Sequence, residues 1–301
     1  MGYENKSPFR KIISQQEVIY MNITARTACA AVLGHPIAHS LSPELHNKIY
    51  RALDLDIVYL AFDITQDNFA KAVKGLGALG FIGFNITIPY KEAIIPFLDS
   101  IDPAAEAIGA VNTVKIEKGK LIGYNTDGVG FLHSLSINNV ECNQRRILIL
   151  GAGGSARTIG IALVEQNPKK ILILNRSKDR GEKLASDINE FAGRSIAHAI
   201  NNAPQDVDII INTTPLGMWP NIDESPLENY IFSPTTIVCD IIYNPYTTSL
   251  LKRASSSGCF TVNGLGMLVG QGIKAIEIWT GKKIDKSIIE LVYNDLRIKL
   301  Q

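Results

Sequence analysis

The 301-residue chain is predicted to fold as two α/β domains. The first has a mostly parallel sheet, the second is Rossmann-like, and the C-terminal helices return to the first. Three observations predict this. Short apolar runs alternate with amphipathic helical periods between residues 29 and 98, which implies crossover connections and a mostly parallel sheet. A second alternating series begins near residue 128 and contains an apolar strand running straight into a glycine turn. Length suggests about two domains, and 46% hydrophobic with 20% charged residues describes a globular chain with ample core.

The first 26 or so residues are polar and aperiodic, so residues 1–27 are expected to form a loosely ordered tail. They lack the apolar core and cleavage site of a signal peptide, and Glu4 and Glu17 argue against a transit peptide. Met21, just ahead of the first convincing strand, is a candidate alternative start. Strand 29–34, helix 43–53, strand 57–62, helix 66–79 and strand 81–87 follow. Next come a helix over 91–98, a helix near 103–108, and a hairpin of strands 114–116 and 121–124 joined by a Lys-Gly-Lys turn. The second series reads helix 128–135, a strand at Ile147, helix 155–165, a strand at Ile171 and helix 178–191. Strands near 207–211 and 237–240, helix 249–256 and a strand around 260–262 complete it. Helices 267–280 and 286–299 then return to cover the first domain. The substrate-binding part is thus 28–126 plus 264–301, and the dinucleotide-binding part 127–263.

A net charge of +1 offers no electrostatic case for nucleic acid or an anionic membrane surface, and no apolar run approaches ~20 residues. Cys29, Cys142, Cys239 and Cys259 lie far apart with no C-x-x-C, as expected of reduced, buried thiols in a cytoplasmic protein.

Residues 147–157 read Ile-Leu-Ile-Leu-Gly-Ala-Gly-Gly-Ser-Ala-Arg, the G-x-G-x-x-A pattern. Gly151 allows the tight turn, Gly153 brings backbone N–H groups close to a pyrophosphate, and Ala156 lets helix pack on sheet. Ala152, Gly154 and Ser155 complete the turn and the helix N-terminus, whose unpaired donors favour phosphate. The next strand ends in Asn175-Arg176-Ser177-Lys178, about where NAD-binding folds place an acid for the ribose 2′-hydroxyl. Here Arg176 and Lys178 stand instead, with Arg180 beyond, and that pattern suits a 2′-phosphate. The cofactor expected is NADP. The bland alternative is a solvated helix face.

In the first part, polar residues occupy strand ends and the loops beyond them: Ser40, Ser42, Asn85, Thr87, Lys91, Asn112 and Asn125-Thr126-Asp127. Open α/β sheets bind ligands outside the carboxyl ends of their strands. A set rich in hydroxyls and amides, with one lysine and one aspartate, suits a small polyhydroxylated acid. Each residue also has an ordinary reading: Ser42 as N-cap before Pro43, Lys91 as a solvated helix-start lysine, Asp127 as an N-cap. His35, His39 and His46 invite a metal reading. However, Pro36 blocks helical i, i+4 pairing of the first two and no acid or Cys completes a set, so no metal is expected.

The chain resembles the shikimate/quinate dehydrogenase family. The matching stretches are Gly34-His-Pro-Ile-Ala-His-Ser-Leu-Ser42, Asn85-Ile-Thr-Ile-Pro-Tyr-Lys91, Gly109-Ala-Val-Asn-Thr113 and Asn125-Thr-Asp-Gly128. The glycine turn, Asn175-Arg176-Ser177 and Asn263-Gly-Leu-Gly-Met-Leu-Val-Gly-Gln271 match as well. Together they run from about Ala30 to the C-terminus, and in this order they are highly specific. The resemblance implies that Ser40 and Ser42 hold the substrate carboxylate. It implies that Asn85, Thr87, Asn112, Asp127 and Gln271 bind ring hydroxyls, and that Lys91 and Asp127 form the acid/base pair. It further implies that Tyr243 seats the substrate from the cofactor side. Thr213, in Thr213-Thr-Pro-Leu-Gly-Met218, resembles the family's cofactor-edge loop, and Gly264 and Met267 belong to the last matching block. Without the resemblance, Tyr243, Gln271 and the Thr213 loop read as an ordinary loop aromatic, helical residue and turn. Asn263 stands where many members carry Asp, Gly272 where some carry a second Gln, and Ser177 where Thr is common.

The implied activity is reversible, NADPH-dependent reduction of 3-dehydroshikimate to shikimate in a cleft that closes on binding. The runners-up are a quinate/shikimate dehydrogenase with relaxed NAD or NADP use, which Arg176 and Lys178 disfavour, and a non-catalytic NADP(H)-binding paralogue. The latter should have lost Lys91 or Asp127. The partner expected is a small-molecule substrate, with the chain a monomer or homodimer.

Overall fold

The computed structural model describes residues 23–301. Most of the expected tail, with Met21, lies outside the described residues. The first sheet comprises β1 (Ala28–Gly34), β2 (Ile57–Asp63), β3 (Gly83–Ile86), β4 (Ser100–Ile101), β5 (Thr113–Glu117) and β6 (Lys120–Tyr124), in the order β2-β1-β3-β5-β6-β4. Its β1–β2, β1–β3 and β4–β6 pairings are parallel, and the β5–β6 hairpin and β3–β5 are antiparallel. Lys118 and Gly119 turn that hairpin at φ +51° and +79°, the left-handed pair a two-residue turn requires.

The second sheet comprises β7 (Arg146–Leu150), β8 (Lys170–Leu174), β9 (Ala197–Ile200), β10 (Ile209–Asn212), β11 (Ile237–Asp240) and β12 (Phe260–Val262). Its order is β12-β11-β10-β7-β8-β9 with every pairing parallel, the doubly wound Rossmann arrangement. Both faces are covered, which is why β7 reads as an unbroken apolar run. Its period of two sends Ile147 and Ile149 into one core cluster and Leu148 and Leu150 into the other. β1 divides likewise, Ala30 and Val32 against Ala31 and Leu33.

The helices are α1 (Ser42–Ala52), α2 (Gln66–Ala78), α3 (Pro103–Ile108), α4 (Asp127–Ile137), α5 (Gly154–Val164), α6 (Lys178–Ala192), α7 (Ser249–Ser256), α8 (Leu265–Thr280) and α9 (Lys286–Leu300). α8 and α9 return to the first sheet. Leu265, Val269, Ile273, Ile276, Val292 and Leu296 share a core with Ala30, Val32 and α1, and Trp279 Nε1 donates to the Val114 carbonyl at 2.9 Å.

Three expectations are corrected. The helix over 91–98 is instead a set of turns ending in a 3₁₀ segment, Ile95–Phe97. Pro96 supplies no N–H and disfavours helical backbone at Ile95, so after Ile94 N–H to Tyr90 O the bonds shorten to the i−3 pattern. β4 and β9 are strands the sequence reading lacks. β4 is two residues long, and the Ala-His-Ala-Ile of β9 alternates too weakly to signal a strand. Cys29 is half-buried rather than buried, unlike the other three thiols, and all four are free.

Candidate active site

The chain passes from the first sheet to the second through Tyr124–Asp127 and returns through Val262–Leu265, and the two helices beginning there, α4 and α8, pack against each other. A Cβ on Gly130 would lie 2.7 Å from the Met267 carbonyl oxygen and from Gln271 N, and one on Gly270 2.9 Å from Gly130 Cα. Only glycine permits so close a crossing. It places Asp127, at the start of α4, near Gln271 and Met267 on α8.

A cavity of about 570 Å³ opens above this crossing, between the carboxyl ends of both sheets. All nine residues expected at the substrate line it: Ser40, Ser42, Asn85, Thr87, Lys91, Asn112, Asp127, Tyr243 and Gln271. Lys91 Nζ lies 2.5 Å from Asp127 Oδ2, although 36 positions separate them. The other carboxylate oxygen accepts from Asn112 Nδ2 at 2.9 Å, and Asp127 N–H donates to Asn125 Oδ1.

The capping readings fail. Thr126 and Leu41 stand at the N-caps of α4 and α1, and neither helix has a side-chain cap bond. The Asp127 carboxylate is drawn into the cleft by Lys91 and Asn112 instead. Ser40, not Ser42, bonds at the start of α1, its Oγ accepting from Ser42 N–H at 3.2 Å. The Ser42 hydroxyl instead sits against the Tyr59 phenol and partly offsets the upward push of burial on its pKa.

Asn85 and Asn112 form the floor. Asn85 accepts from Tyr59 OH at 2.6 Å and donates to Asn112 O and Thr113 Oγ1. Both Asn112 amide hydrogens go to Thr126 Oγ1 and Asp127 Oδ1, while its own Oδ1 accepts from Thr126 N–H at 2.8 Å. The network is satisfied as it stands, so it holds Lys91 and Asp127 in a single geometry. Gln271 donates to Leu268 O in its own helix. Tyr243 crosses from the second sheet to the Leu41 backbone amide, between the two serines, and burial raises its phenol above the ordinary value.

On the cofactor side, Ser155, Thr213, Gly264 and Met267 line the same cavity. The other expected cofactor residues lie outside it: Gly151, Ala152, Gly153, Gly154 and Ala156 on the glycine turn, and Asn175, Arg176, Ser177, Lys178 and Arg180 beyond β8. Gly151 has φ +105°, and a Cβ there would stand 2.8 Å from Thr213 Oγ1. Gly153 and Gly154 face open space, since a Cβ on either would have nothing within 4 Å. The uncapped N-terminus of α5 therefore presents its amides to an open concavity of the kind a phosphate fills. Ala156 is fully buried against the sheet. Arg176, Ser177, Lys178 and Arg180 are exposed. Lys178 pairs with Glu182 at 3.6 Å, while among the described residues Arg176 and Arg180 have no carboxylate partner. These residues fit a dinucleotide carrying a 2′-phosphate.

The sequence reading missed Tyr59, which lies on a largely apolar strand and carries no pattern signal. It also missed Asn212 and Asp240, polar residues ending β10 and β11. Asp240 accepts from Thr248 Oγ1 at 2.7 Å and from Asn212 Nδ2 and Ile242 N at 3.1 Å. Burial nevertheless raises its pKa to about 6. A polar residue at the end of an apolar strand is the signal that singles out Asn85, and Asn212 and Asp240 carry it too. The three candidate metal histidines diverge. His35 Nδ1 meets Asp63 at 2.5 Å, His39 lies tilted against Trp219, and His46 stacks on Tyr59 with ring centroids 3.9 Å apart.

Three family models match in tandem. Shikimate dehydrogenase substrate binding domain covers residues 32–114, Shikimate / quinate 5-dehydrogenase 134–241, and Shikimate 5′-dehydrogenase C-terminal domain 264–290. Shikimate dehydrogenase (NADP(+)) of Methanococcus aeolicus is 44% identical over 278 residues, 91% of this chain and 99% of its own. A crystal structure of shikimate dehydrogenase in complex with NADP+ is 42% identical with TM-score 0.86, covering 93% of this chain and 98% of that one. The Thermus thermophilus enzyme in complex with NADP(H) and shikimate is 34% identical with TM-score 0.79, covering 89% and 99%.

Proposed function

The chain belongs to the shikimate dehydrogenase family, and from that premise we propose that Lys91 and Asp127 are its proton-transferring pair. The activity is NADP-dependent oxidoreduction between shikimate and 3-dehydroshikimate, a step of the shikimate pathway. NADP(H), when bound, supplies or accepts the hydride. The glycine turn and the α5 N-terminus hold its pyrophosphate, and Arg176, with Lys178 and Arg180, takes the 2′-phosphate. Thr213, Gly264 and Met267 border the nicotinamide side of the cavity.

In the reductive direction Lys91 Nζ holds the proton that passes to the substrate carbonyl oxygen. A positioned acid of this kind contributes about 10²–10⁴-fold. Asp127 steadies the ammonium through Oδ2 and is itself held by Asn112 through Oδ1. Ser40, Ser42 and the Tyr243 hydroxyl gather around the substrate carboxylate, and Asn85, Thr87 and Gln271 address its ring hydroxyls. Residues 28–126 with 264–301 form the substrate domain and 127–263 the cofactor domain. No helix among the described residues is long and apolar enough to cross a membrane. A cytoplasmic location belongs to the same reading, supported by the four free cysteines.

The observation that carries this reading is the 2.5 Å contact between Lys91 and Asp127 in a cavity walled by both sheets. NADP reduction with shikimate, followed by absorbance, tests it. Lys91→Ala is expected to lose roughly 10²–10⁴-fold in kcat with NADP binding intact, and near-normal turnover would refute the assignment.

A further inference from the structure

At the mouth of the cavity an aromatic pair bridges the two domains, beside the Tyr243 contact to Leu41. Trp219, from the loop after β10, tilts over the His39 ring with centroids 4.4 Å apart and planes at 55°. Both side chains line the cavity and both are exposed, Trp219 to 50%. A half-exposed tryptophan contributes little to a core, so this contact is not explained by folding.

Each partner has a firm mount. The Trp219 loop is tied to its sheet by Asn212, whose Oδ1 accepts from Thr214 N–H and Thr214 Oγ1 and whose Nδ2 donates to the buried Asp240. Trp219 N–H also donates to Asn244 O at 3.3 Å. On the other side, His39 immediately precedes Ser40, whose N–H donates to Ile37 O and whose Oγ organises Ser42. Trp219 therefore moves with the cofactor domain and His39 with the loop that presents the two serine hydroxyls.

We propose that Trp219 is a positioning residue, acting through His39 to clasp the cleft over the carboxylate end of the substrate. The proposal rests on the activity assigned above. An edge or offset contact between two rings is worth about 2- to 12-fold in an equilibrium. It forms when the domains approach, and it stabilises the arrangement in which Ser40 and Ser42 face the carboxylate.

Steady-state kinetics of wild type, Trp219→Ala, Trp219→Phe, His39→Ala, His39→Phe and the double alanine variant test the clasp. Trp219→Ala is expected to raise KM for shikimate about 2- to 12-fold, with kcat and the KM for NADP unchanged. Trp219→Phe and His39→Phe should restore most of the loss, since an aromatic pair remains. The double variant should be no worse than either single alanine variant. Additive losses in the double variant, equal losses in Phe and Ala variants, or unchanged KM in Trp219→Ala beside a normal wild type would each overturn the clasp alone. Failure of wild type to reduce NADP with shikimate would overturn the assigned activity and the clasp with it.

Discussion

Gly130→Ala adds a single methyl at the helix crossing on which the site is mounted. Its Cβ would meet Met267 O and Gln271 N at 2.7 Å and Gln271 Cβ at 2.9 Å. These neighbours are backbone or Cβ atoms, so no rotamer change relieves them, and α4 and α8 must separate by about 1 Å to reach ordinary contact. Overpacking costs about 1–3 kcal/mol. Removing a helix-interior glycine returns about 1 kcal/mol, leaving a net loss of roughly 0–2 kcal/mol. At about 2–4 °C per kcal/mol for a chain of this size, Tm should fall by less than about 8 °C. The functional cost should be far larger. Gln271 is itself the contact and Asp127 lies one helical turn before Gly130, so the shift moves two site residues apart. A displacement of about 1 Å at reacting groups costs on the order of 10²-fold. The assay is kcat/KM for shikimate beside a thermal melt. Wild-type kcat/KM in a folded Gly130→Ala protein would show that the crossing does not set the site geometry.

Gly75→Ala is the complementary case. Nothing lies within 4 Å of the added Cβ in α2, so Tm should rise by about 2–4 °C with kcat unchanged, and a fall in the melt would contradict the open space seen there. Arg176→Ala should raise the KM for NADP roughly 10- to 100-fold while leaving kcat/KM with NAD as it is in the wild type; equal losses with both cofactors would remove the 2′-phosphate assignment. Buried His46 has its pKa lowered from 6.5 to about 3 by desolvation. The unfolded chain therefore binds that proton first, and stability is lost as pH falls from about 6.5 towards 3. Asp240, raised from 3.8 to about 6, works the other way, since the folded chain binds its proton first and stability is gained as pH falls from 6 to about 4. Each contributes at most about 1.4 kcal/mol per pH unit, so the two cancel between pH 4 and 6. Asp240→Asn keeps an acceptor for Asn212 and Ile242 but removes the titration, and its melts should decline more steeply below pH 6 than those of wild type. Superimposable profiles would refute the opposing pair.

Both α/β patterns, the glycine turn and the polar strand ends that line the cavity are legible in the chain alone. Those features are local. The tight turn at Gly151 and the unbroken apolar run of β7 each follow from the residues present there, as does the polar punctuation at Asn85 and Asp127. The sequence reading overreached at 91–98, where one proline outweighs its helix-compatible neighbours, and it passed over β4 and β9, whose pairing is supplied by longer strands beside them. The meeting of Lys91 with Asp127 is a matter of packing, because their contact depends on β3, β5 and β6 lying side by side with α4 held against α8. The tertiary structure likewise assigned Asn112 to orienting the carboxylate, brought Tyr59 beneath Asn85, and set Trp219 against His39 across the cleft. A contact between residues distant in the chain is fixed by packing of whole elements, and no pattern within either segment records it.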